Sequence, residues 1–168
     1  MKKLFTLLIV ALIAAPFCMA KKNTIPGDIP EYFIEGAGYS GGDAKVMVSI
    51  NAKKTKDVTD AMLGKAAVHG ILFKGYNDKG RQGFGEESKH PALASSPMVF
   101  DQYIDFFDPF FTGGSYMNYV QIVDDTRKVT KTEKGYRVSC VVRVSKGQLQ
   151  KDLTSQGINA FRSLGSGF

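Results

Sequence analysis

The chain has 168 residues, with 22 lysines and arginines against 16 acids and a formal net charge of +6. Its length fits one domain with a real core. The charges are interspersed and form no basic stripe among aromatics, which argues against nucleic acid as a partner. A mild positive excess is compatible with weak peripheral contact with an anionic membrane.

The chain opens on Met1-Lys2-Lys3 and an apolar run, Leu4–Ala15, interrupted only by Thr6. Pro16 breaks a helix there, and Cys18-Met19-Ala20 places small residues where a signal peptidase reads. The run is shorter than the roughly 20 residues that span a bilayer. Residues 1–20 are therefore expected to be a secretory signal cleaved after Ala20, giving a periplasmic or secreted protein. Lipidation of Cys18 is the alternative, opposed by Phe17 where a small residue is expected. After cleavage only Cys140 remains, so no internal disulfide can staple the fold.

Residues 21–31, with Pro26, Gly27 and Pro30, read as an extended leader. A single domain is expected over 32–158, followed by a loose tail at 159–168. Tyr32 to Tyr39 reads as a strand, Gly41-Gly42-Asp43 as a turn, and Ala44 to Asn51 as a second strand with Val46, Val48 and Ile50 alternating. Asp57 or Thr59 caps a helix running to about Phe73, with a buried stripe of Val58, Met62, Ala66 and Phe73 beside Leu63, Ala67 and Gly70. Its small residues predict close approach to a sheet.

Lys74 to Ser96 reads as a long glycine-rich loop, expected to act as a mobile flap. Ser96-Pro97 starts a second helix with Phe100, Tyr103, Ile104, Phe107 and Phe111 at helical spacing, ended by Pro109 and Gly113-Gly114. Tyr116 to Val123 reads as a strand, with another strand or a long hairpin connection around Lys128 to Thr132. After Gly135, the alternation of Tyr136, Val138, Cys140, Val142 and Val144 gives a half-buried strand. Ser145 to Gln148 reads as a capping box for a last helix burying Leu149 and Leu153, closed by Gly157 with Ile158 packing back.

Chemistry is sparse. His69 reads as a satisfied helix histidine and His90 as a surface residue; no ligand spacing suggests a metal. Gly80 to Gly85 resembles a phosphate cradle but lacks the strand before and the helix after it. Cys140 shares a strand face with valines, which predicts burial rather than nucleophilicity. Asp101, Asp105 and Asp108 read as a solvated helix side. No catalytic residue, cofactor or metal is therefore expected. The aromatics of the second helix exceed one buried face, so Phe100, Tyr103, Phe107, Phe110, Phe111 and Tyr116 are the candidate recognition surface.

Ile34-Glu35-Gly36-Ala37-Gly38, the connection after the second strand, and the helix ending Ala67-Val68-His69-Gly70 resemble small envelope domains of Gram-negative bacteria. The likeness is to lipoprotein and TolB amino-terminal-like α+β domains, and to secreted proteins of that setting, as Lys151-Asp152-Leu153 and Gly157-Ile158 also suggest. It implies an envelope assembly or accessory role and brings no catalytic residues. The expectation is an α+β fold: a mainly antiparallel sheet of about four strands with two or three helices on one face, the two ends of the chain pairing. The expected function is a non-enzymatic exported protein binding another envelope component. The alternative is a carrier of an apolar or lipid-like ligand on the Phe-rich second helix, and an enzyme ranks third. A flat apolar patch at Phe110, Phe111 and Tyr116 would favour the protein partner; a pocket lined by Phe100, Tyr103 and Phe107 would favour the carrier.

Overall fold

The computed structural model describes residues 28–40, 42–78 and 88–162. The expected signal, most of the leader, the Gly80–Gly85 cluster and residues 163–168 lie outside these. In chain order the elements are β1 (Tyr32–Ser40), β2 (Asp43–Ala52), α1 (Asp60–His69), β3 (Tyr76–Asp78), β4 (Ser88–His90), α2 (Val99–Gln102), α3 (Ile104–Thr112), β5 (Val120–Thr132), β6 (Gly135–Val144) and α4 (Lys146–Ser155). Four strands form one antiparallel sheet in the order β1-β2-β6-β5, and β3 pairs with β4 in a small second sheet. This is the expected α+β architecture. The two ends of the chain pair through β2 and β6.

Alternation decides the core. Val46, Val48 and Ile50 of β2 stand opposite Val142, Cys140 and Val138 of β6, and all six are buried. Between them Lys45, Met47 and Ser49 face Arg143, Val141 and Ser139 on the other side of the sheet. Helix α1 covers the apolar side with Leu63, Ala66 and Ala67. Its cap is Thr59, whose hydroxyl accepts the Met62 N–H at 3.2 Å. Close packing is visible at two glycines. A methyl group at Gly64 would come within 2.9 Å of Val120 Cγ1, and one at Gly70 within 2.5 Å of Ile34 Cδ1.

Several boundaries differ from the expectation. Helix α1 does not continue regularly to Phe73. Gly70–Lys74 is a wider π-helical turn, closed by the Gly75 N–H on the Gly70 carbonyl at 2.8 Å, and Met62 and Phe73 are only partly buried. The second helix breaks in two at Tyr103 (φ −120°), and Pro109 lies inside α3 rather than ending it. An internal proline costs about 3 kcal/mol. Phe110 and Phe111 beyond it are both buried, and each buried aromatic contributes about 1.5–3 kcal/mol, so packing prevails. Ser115–Tyr119 is a 3₁₀ turn, not strand.

The two expected strand pieces after it are one strand, β5, whose register with β6 shifts between Val123 and Lys128. Thr126 bridges the shift: its hydroxyl donates to the Val123 carbonyl at 2.6 Å and accepts the Val141 N–H at 2.8 Å. Ser145 stands at the start of α4 without a side-chain capping bond, so the capping box is not formed. The other end behaves as expected. Gly157 has φ +87°, Ile158 N–H bonds the Leu153 carbonyl, and both apolar side chains are buried.

The Lys74–Ser96 segment is more ordered at its ends than a flap. β3 and β4 pair, and the Leu93 and Ala94 N–H groups bond the carbonyls of Ile71 and Leu72 at 3.0 and 2.8 Å. Residues 79–87 lie outside the described residues. The tail is tied down as far as Arg162: the Ser95 N–H bonds the Ala160 carbonyl and the Arg162 N–H bonds the Leu93 carbonyl.

Candidate functional site

A cleft of about 500 Å³ opens where β1, the π-helical turn and α2 meet. Each element delivers its side chains for a local reason. β1 brings Tyr32, with Glu31 just before it. The last residue of α1 is His69; the widened turn after it carries Phe73 and Lys74, and α2 supplies Phe100 and Asp101 beyond Pro97. Three other openings of similar size, at Asn51–Arg137, around His90 and beside Met62, have fewer aromatic side chains in their walls.

His69 is only 8% exposed and is the single buried polar or charged residue among the described residues. Its Nδ1 is 2.7 Å from the Tyr32 hydroxyl. Burial, and then the positive charge of Lys74, push the His69 pKa down to about 4. Burial pushes the Tyr32 phenol up. Both are therefore neutral at pH 7. Lys74 donates to the Tyr32 carbonyl at 3.4 Å, and its ammonium stands 4.9 Å from the Tyr32 ring centre. Behind the cleft the rings are continuous: His69–Phe73 at 5.2 Å, Phe73–Phe100 at 5.3 Å, Phe73–Phe107 at 5.0 Å and His69–Phe111 at 5.9 Å.

The predicted surface residues divide. Phe100 lines the cleft. Phe107 and Phe111 are fully buried behind it, and Tyr103 is half-buried against the core. Phe110 and Tyr116 are buried as well, so the expected flat patch of Phe110, Phe111 and Tyr116 is corrected: these rings fill the space between α3, the 3₁₀ turn and α1. The Tyr116 hydroxyl donates to the Ala61 carbonyl at 2.9 Å, which ties it to α1. The surplus of aromatics reflects a core with two helical layers to fill, which spacing on one helix does not reveal. Tyr32 and Phe73 were missed as wall residues. The His69–Phe73 spacing of one helical turn hinted at a shared face, but only topology brings Tyr32 to them.

The remaining candidates are less productive. Cys140 is buried and inward-facing, as expected. His90 is half-buried and stacks on Tyr76 at 4.6 Å rather than standing free on the surface. Among the described residues no three His, Cys, Asp or Glu side chains gather as a metal site, and no helix is long and apolar enough to cross a membrane. Comparison with known proteins finds no matching family model, no matching curated protein and no matching solved structure. Aromatic walls, one neutral imidazole and a charged mouth suit holding and orienting a small apolar molecule.

Proposed function

We propose that this chain is an exported, non-enzymatic binding protein of the cell envelope, and that its cleft carries a small ligand with an apolar body. The supporting observation is the aromatic cleft with a buried histidine in its wall. An imidazole with a pKa near 4 is a weak base at neutral pH, which favours recognition over proton transfer. A protein partner docking on Phe110, Phe111 and Tyr116 has less support, because those rings are buried. Export rests on the residues before Lys21 and is checked by intact mass of the exported protein, which should begin at Lys21 without acyl chains. Binding is checked with phenethyl alcohol by protein NMR. Saturable shifts should appear at the Phe73 and Phe100 rings and disappear in Pro97→Trp, a bulky change at an exposed mouth position. Shifts unaffected by that substitution would count against the cleft.

A further inference from the structure

Resting on that reading, we infer that the cleft selects an organic cation, an ammonium group carried on a small apolar body. Three independent features of the site converge on it.

The first is the walls. Tyr32, Phe73 and Phe100 bring rings to the cleft, whereas Phe33, the next residue of β1, turns its ring to the other face of the sheet under Arg137. An aromatic face attracts a cation through the ring quadrupole. This chain already uses one of these rings so: the Lys74 ammonium lies 4.9 Å from the centre of the Tyr32 ring. Phe73 and Phe100 have no cation of the chain against them among the described residues.

The second is the mouth. Its charged groups are the carboxylates of Glu31 and Asp101 and the ammonium of Lys74. A chain with a formal charge of +6 therefore presents a local excess of negative charge at this opening. Glu31 and Asp101 are exposed, and neither has a hydrogen-bond or ion-pair partner among the described residues. Lys74 is already engaged by the carbonyl and ring of Tyr32. An anionic guest would meet two unscreened carboxylates; a cationic one would neutralise them.

The third is His69. It is more than nine-tenths buried, it lines the cleft, and its second ring nitrogen has no partner among the described residues. With Nδ1–H donating to the Tyr32 oxygen, the second nitrogen is an acceptor that an ammonium N–H can reach in an otherwise aromatic wall. Because His69 is neutral at pH 7, it adds no repulsion against a cation.

The test is a charge series on one body: phenethylammonium, phenethyl alcohol and 3-phenylpropionate, titrated into the exported form of the protein at low salt and neutral pH with NMR detection. Phenethylammonium should bind about tenfold more tightly than 3-phenylpropionate, with the alcohol between them. In the double variant Glu31→Gln, Asp101→Asn the preference for phenethylammonium over 3-phenylpropionate should fall at least about threefold, what remains being the share of the rings. Both positions are exposed, so the variant should fold. Three equal affinities, preference for the anion, or a preference undiminished by the double substitution would overturn the cation inference and leave the apolar cleft standing. Failure of all three to bind would overturn both.

Discussion

The two faces of the four-stranded sheet come from alternate residues of the same strands, yet they are held by different forces. On the helix-covered face Val46, Val48, Val138, Val142 and Val144 are fully buried. On the open face the contacts are polar and partly exposed. Ser49 Oγ and Ser139 Oγ lie 2.8 Å apart, Arg137 Nε donates to Asn51 Oδ1 at 3.2 Å, and Arg143 donates to Gln121 at 3.3 Å. Burial of apolar area drives the first face, whereas exposed polar pairs contribute little because water competes for them. The covered face therefore carries stability, and the cleft sits at its margin, where core rings run out to solvent.

The largest expected effect tests the covered side. Phe107→Ala should cost about 3–5 kcal/mol in denaturant unfolding, since its ring is fully buried and packs on Phe73. A loss below about 1 kcal/mol, the level of surface substitutions, would show the aromatic layer to be loosely packed.

The next tests the histidine between core and cleft. Its folded pKa is lowered, so the unfolded chain binds the extra proton first as pH falls. The stability from a neutral buried His69 is complete above the ordinary histidine value near 6.5 and is lost progressively as pH falls towards about 4. His69→Gln should flatten that part of the stability profile. A wild-type and variant profile of equal slope between those values would mean that His69 titrates in the fold as it does in the unfolded chain.

Thr126→Val removes the hydroxyl that bridges the register shift and leaves the Val141 N–H without its partner. The cost should be about 1–3 kcal/mol, with faster exchange of the Val141 amide. Cys140→Ala should cost about 1 kcal/mol, and a bulky thiol reagent should label the native protein slowly, because Cys140 is 1% exposed. Smallest of all, Arg137→Ala on the open face should change stability by about 0.5 kcal/mol or less. A loss like that of Phe107 would show the open face to be a structural surface after all.

Much of this contrast was legible in the residues. The alternation in Val46–Ile50 and Val138–Val144, the Thr59 cap, the small residues of α1 and the Gly157 closure each depend on neighbours a few positions away, and each is present. Of the candidate site, Phe100 was found as a wall residue, whereas Phe110, Phe111 and Tyr116 were misplaced. Helical spacing tells which residues share a stripe but not how many layers cover it.

The strand alternation, the cap and the schedule of turns were set by local chemistry: period-2 side-chain geometry and backbone groups that need nearby partners. Tertiary structure decided the rest. Packing overrode Pro109, drew β5 into one bulged strand around Thr126 and wound Gly70–Lys74 into a wider turn. Above all, the placement of α1 against β1 brought Tyr32 to His69, 37 positions away. Pairings at that separation are chosen by which burial satisfies the whole core at once, and no local pattern encodes the choice.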